Sequence, residues 1–129
     1  MTIRYHEGDL PNLKHYDVDA VAIDTETLGL NPHRDRLCLV QLSAGDGVAH
    51  LVQFDGSNYA APRLKALLKD PKITKIFHFA RFDVAVLEKY LEVDTAPVYC
   101  TKIASKLVRT YTDRHGLKDN LLEFLDVEL

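Results

Sequence analysis

The chain has 129 residues, 47% of them hydrophobic, and a formal net charge of −3. That length suits one domain with its own core, and no stretch approaches the roughly 18 apolar residues of a membrane span. A negative net charge argues against wrapping nucleic acid by charge alone, although a carboxylate cluster neutralised by divalent cations escapes a formal count.

The N-terminus, Met1–His6, shows no basic region followed by an apolar run, so no signal peptide is expected. Asp19–Ile23 has the apolar, β-branched character of a buried strand and runs into Asp24, Thr25, Glu26 and Thr27. Gly29 and Pro32 mark a loop over 28–33. Arg36–Ser43 and Val48–Phe54 read as two further strands, joined by the turn Ala44–Gly47. Three consecutive strands predict an antiparallel meander. Pro62 then sits where a first helical turn starts, Leu64, Leu67 and Leu68 form a helical stripe, and Asp70 with Pro71 stops it. Lys72–Phe77 reads as a strand and His78–Leu91 as a helix, with Phe82, Ala85, Val86 and Tyr90 on one face. Thr101–Thr110 and Leu117–Leu125 read as the last two helices. The pattern is mixed α/β, with the later strands joining the sheet in parallel. Residues 1–129 are read as a single domain whose end, Asp126–Leu129, lacks a terminating turn and reads as cut.

The chemistry concentrates in three carboxylates. Residues i and i+2 of a strand share a face about 6–7 Å apart, so Asp24 and Glu26 stand side by side. Buried without a cation, such a pair pushes one pKa up. A hard divalent cation, Mg2+ or Mn2+, removes the conflict. Taken alone, the pair reads more readily as the polar exit of a strand. Asp83 falls in the first turns of a helix that follows a strand, where anions and metal-bridged phosphates are favoured. It meets Asp24 and Glu26 if that helix packs across the end of the first strand; in isolation it reads as a helix-stabilising acid.

Ala22–Thr27 (Ala-Ile-Asp-Thr-Glu-Thr) resembles the first motif of the DEDD exonuclease superfamily, and Phe77–Leu87 resembles the second, with Asp83 as its acid. Together with Arg36–Leu42, Lys72–His78, Tyr99–Lys106 and Tyr111–Lys118, these segments make nearly the whole chain similar to ribonuclease D catalytic domains, above all to short NrnC-type oligoribonucleases. The resemblance implies a ribonuclease H-like fold, a mixed sheet with an antiparallel meander and parallel strands flanked by helices. It implies a two-metal 3′–5′ exoribonuclease with Mg2+ or Mn2+ held by Asp24, Glu26 and Asp83, releasing nucleoside 5′-monophosphates from short RNA or dinucleotides. The ions in such sites sit about 3.5–4 Å apart. The family's third motif, Y-x-x-x-D, has no match: neither Tyr99 nor Tyr111 has Asp four residues on. That motif is expected beyond Leu129, which makes the chain by itself inactive and leaves an apolar stripe that a homo-oligomer would cover.

Other residues carry weaker signals. Thr25, His78, Arg81 and Lys102 are candidates for substrate contact. His78 reads equally as a packing residue, whereas the Arg81 fork suits phosphate. The resemblance places Leu28 and Leu30 as a wedge against terminal bases, with loop packing as the plain reading. Gln41 stands out among Leu39, Val40 and Leu42, most simply as an edge residue. Lys102, Lys106 and Arg109 share one helix face, which is by default a solvated stripe. Cys38 reads as core and Cys100 as a cap for the helix after it. Two cysteines suit neither a disulfide framework nor a zinc site, which fits a reduced, cytoplasmic setting without membrane contact. A DNA-directed exonuclease and a non-catalytic nucleotide-binding relic remain as alternatives.

Overall fold

The computed structural model describes residues 1–129. Its strands are β1 (Thr2–Glu7), β2 (Ala20–Thr27), β3 (Leu37–Ser43), β4 (Val48–Gln53), β5 (Thr74–Phe77) and β6 (Val98–Cys100). Its helices are α1 (Pro62–Lys69), α2 (Ala80–Leu91), α3 (Thr101–Val108) and α4 (Leu117–Leu125), and a single 3-10 turn covers Lys14–Tyr16. All six strands form one sheet in the order β1-β4-β3-β2-β5-β6.

The expected meander is present as β2–β3–β4, antiparallel throughout. A strand precedes it. β1 pairs in parallel with β4, and its Ile3 and Tyr5 side chains are exposed. β5 and β6 join in parallel on the other side, β5 against β2 and β6 against β5. This mixed α/β sheet with flanking helices matches the expected fold class.

One cluster of 20 buried residues forms the core. Strands β2 and β3 contribute Val21, Ile23, Val40 and Leu42. Helix α1 contributes Leu64, Leu67 and Leu68, and α2 contributes Val86, Leu87 and Leu91. Helix α1 starts with Pro62, as the sequence indicates, and its free N–H groups at Arg63 and Leu64 donate to the Asp9 carboxylate at 3.1 and 2.9 Å. On α2 the inward positions are Ala80, Asp83, Val86, Leu87 and Leu91. Phe82 and Tyr90 pack partly against the core, but Ala85 is exposed, because the inward stripe is shifted toward Asp83.

Helices α3 and α4 are less embedded. Ser105 is the one buried residue of α3, and α4 has none. Ile103, Leu107, Val108, Leu122, Phe124 and Leu125 are all exposed. No helix is long and apolar enough to cross a membrane.

Candidate active site

The alternation of β2 sets the first half of the site. Val21, Ile23 and Thr25 point into the core, whereas Ala22, Asp24 and Glu26 lie on the open face. Asp24 stands opposite Gln41 of β3 and Glu26 opposite Leu39, and the register shifts between Glu26 and Thr27. Cross-strand partners share a face, so Gln41 lies on the same side as Asp24. It occupies a central strand rather than the sheet edge expected for it.

The second half comes from β5 and α2. Because β5 runs parallel to β2, the C-terminal ends of both strands point the same way, the usual location of ligand crevices in open α/β sheets. Phe79 links β5 to α2 with φ +67°, a left-handed conformation uncommon outside glycine. Asp83 follows in the first helical turn and is only 4% exposed. Its Oδ1 accepts from the Thr25 hydroxyl at 2.6 Å and from the Thr25 backbone N–H at 3.1 Å. This contact ties the second motif to the first across 58 residues. Burial pushes the Asp83 carboxyl up to about 6; the Thr25 hydroxyl opposes the rise, and the negative charge of Asp24 adds to it.

The other candidates fall into two groups. Leu28 and Leu30 are 67% and 87% exposed in the loop after β2, and Arg81 is exposed on α2. Lys102, in the first turn of α3, holds its Nζ 4.3 Å from the centroid of the Phe79 ring. His78 and Thr25 look inward instead. His78 Nδ1 is hydrogen-bonded to the Thr101 hydroxyl at 2.8 Å. Thr25 spends both its hydroxyl and its N–H on Asp83, so its side chain orients a carboxylate rather than reaching outward.

One reading of the sequence is corrected and another refined. Arg109 does not belong to an exposed basic stripe with Lys102 and Lys106. It is 5% exposed, is ion-paired with Glu123, and donates to the Arg114 carbonyl and, at 3.2 Å, to the Ser105 hydroxyl. Cys100 does hold the N-cap position of α3, but its thiol makes no capping hydrogen bond there. Its Sγ accepts from the backbone N–H of Ala80, at the start of α2, at 3.4 Å.

The carboxylates do not form a closed cage: no three His, Cys, Asp or Glu side chains gather as a ready metal-ligand group. The donor chemistry nonetheless suits a hard divalent cation. The candidate ligands are all carboxylate oxygens, Oδ2 of Asp83 remains after Oδ1 is used by Thr25, and a cation would offset both the burial and the nearby Asp24 charge that raise the Asp83 pKa.

The chain matches the family described as 3′–5′ exonuclease over residues 10–129. It is 34% identical to ribonuclease D of Gluconacetobacter diazotrophicus over 105 residues, which is 81% of this chain and 26% of that protein. The structure of Brucella melitensis NrnC with bound Mg2+ shares 65% identity and a TM-score of 0.98, covering 100% of this chain and 64% of NrnC. The structure of the same NrnC bound to pGG gives a TM-score of 0.97. This chain therefore spans about a quarter of the ribonuclease D length and under two thirds of the NrnC length. With the fold, the order of the two motifs and a structural match over the whole of this chain in agreement, the chain belongs to the 3′–5′ exonuclease family and, within the DEDD superfamily, is NrnC-like.

Proposed function

We propose that the chain carries the metal-binding half of an exonuclease site that removes nucleoside 5′-monophosphates from the 3′ end of short RNA. The observation that carries this reading is the Thr25–Asp83 contact, which joins the acids of the two motifs at one strand end with Asp24 near enough to raise the Asp83 pKa. Asp24, Glu26 and Asp83 would hold Mg2+ or Mn2+. Two such ions, when bound, supply an activated water and stabilise the leaving 3′ oxygen.

The remaining roles fall to the chain's own side chains. Leu28 and Leu30 present exposed apolar surface beside Glu26, suited to pressing on a terminal base. Arg81 and Lys102 offer cations for phosphate oxygens, Arg81 as a planar fork and Lys102 as a point charge. His78, tied to Thr101 at the start of α3, holds the turn between β5 and α2. Phosphate contacts are blind to base sequence, so little base preference is expected. NrnC bound to pGG supports a dinucleotide or other very short substrate. The exposed apolar residues of α3 and α4 support a homo-oligomer that covers them.

The test follows mononucleotide release from pGG in Mg2+. It compares the chain with a version extended over the remaining length of NrnC. The extended version should turn over, and the 129-residue chain should be inactive or nearly so. An inert extended version overturns the reading, and faster cleavage of the DNA dinucleotide reassigns the substrate.

A further inference from the structure

Position 25 lies in a run of core-facing residues, after Val21 and Ile23, where strand packing alone calls for an apolar β-branched side chain. A hydroxyl buried there is unfavourable unless it is hydrogen-bonded. Thr25 is 6% exposed, and its hydroxyl has one acceptor, Oδ1 of Asp83 at 2.6 Å. The backbone N–H of the same residue donates to the same oxygen at 3.1 Å. Two donors on one atom fix both the rotation of the carboxylate and which of its oxygens stays available.

We infer that Thr25 is a positioning residue of the metal site, its hydroxyl and N–H holding Oδ1 of Asp83 so that Oδ2 is presented to a divalent cation. This rests on the reading of Asp83 as a metal ligand. Thr25 touches neither cation nor substrate through its side chain. The residue between the two acids of the first motif thereby orients the acid of the second. β-strand alternation accounts for the division of labour, because Asp24 and Glu26 face out and position 25 faces the helix that brings Asp83.

The experiment titrates the chain with Mn2+ and reads free Mn2+ by electron paramagnetic resonance, for wild type, Thr25→Ser, Thr25→Val and Asp83→Asn. Loss of an outer-shell partner weakens metal binding about 10–100-fold, so Thr25→Val should bind at least about tenfold more weakly while Thr25→Ser stays near wild type. Thermal unfolding with and without Mn2+ separates positioning from packing. A packing role lowers both midpoints alike, whereas a positioning role shrinks the rise produced by the cation. If Thr25→Val does not fold, Thr25→Ala against Thr25→Ser isolates the single oxygen, and equal Mn2+ affinities in that pair overturn the inference. Wild-type affinity in Thr25→Val together with lost binding in Asp83→Asn overturns the Thr25 role alone. Wild-type affinity in Asp83→Asn, or no binding by the wild type, removes the metal site and the Thr25 role with it.

Discussion

Replacing Asp83 by Asn should stabilise the metal-free chain at neutral pH. Asn has the shape of Asp, and its carbonyl oxygen can accept both Thr25 bonds now made to Oδ1. What disappears is the buried negative charge. The Asp83 pKa rises from the ordinary 3.8 to about 6 in the fold, chiefly through burial. Each tenfold displacement of a proton equilibrium is worth about 1.4 kcal/mol, so the ionised side chain costs about 3 kcal/mol at pH above 6. The direction follows from linkage. Between 3.8 and about 6 the folded chain holds a proton that the unfolded chain has released, so stability falls as pH rises through that window. Urea unfolding followed by circular dichroism, with chelator present, should show Asp83→Asn more stable than wild type by about 3 kcal/mol at about pH 8, and the gap should close at about pH 3. Excess Mn2+ should reverse the order, because only the wild type gains from the cation. A variant less stable than wild type at about pH 8, or a gap that persists at about pH 3, would refute the argument that Asp83 is held against its own charge.

Three further outcomes test the site and its frame. Asp24→Asn should abolish Mn2+ binding and, in the extended version, cut pGG hydrolysis by several orders of magnitude with the fold intact; activity within about tenfold of wild type would show that Asp24 is not a metal ligand. Lys75 is fully buried, and its Nζ donates to the carbonyls of Asp70 at 2.5 Å and Ala96 at 2.8 Å. Lys75→Ala should therefore lose about 2–4 kcal/mol in chemical denaturation, from the cavity and the two lost hydrogen bonds together. His6 Nε2 and His50 Nδ1 share one proton at 2.9 Å, and burial lowers both pKa values below 6.5. Here the unfolded chain takes up protons first, so stability is lost on acidification through 6.5, and His50→Gln should make that loss shallower between about pH 7 and about pH 5.

Where sequence and structure agree, the signal is local. The β2–β4 meander was legible from apolar runs separated by a loop with Gly29 and Pro32 and by the turn at Gly45 and Gly47. Pro62 and the Leu64, Leu67, Leu68 stripe marked α1 to within one residue. Strand alternation alone placed Asp24 and Glu26 on one face. Elements defined by distant partners were not legible. β1 exposes Ile3 and Tyr5 and owes its existence to backbone pairing with β4, more than 40 residues away. β6 has only three residues, Val98–Cys100, too few for a period to register beside the helix that follows at once. Arg109 follows a basic spacing that reads as surface, yet Glu123 and the Arg114 carbonyl draw it inward.

The same distinction explains why the site was half visible. Two acids at i and i+2 announce themselves, because alternation is a property of any strand. Which acid joins them is a property of the sheet: β5 runs parallel beside β2, so the turn after β5 delivers α2 to the end of β2. The left-handed backbone at Phe79 sets the entry of that helix, and Asp83 then comes inward in its first turn. Burial makes its charge unfavourable, and a lone buried carboxylate at this point would be a defect of the fold. Two bonds from Thr25 and the neighbourhood of Asp24 give it a different meaning, since the one lowers the energy of the anion and the other raises it. A carboxyl held by two hydrogen bonds yet opposed by burial and a nearby like charge either keeps its proton or is offset by a cation. In the proposed site the second outcome applies, and with Asp24 beside Asp83 and an all-oxygen donor set the cation it calls for is a hard divalent one.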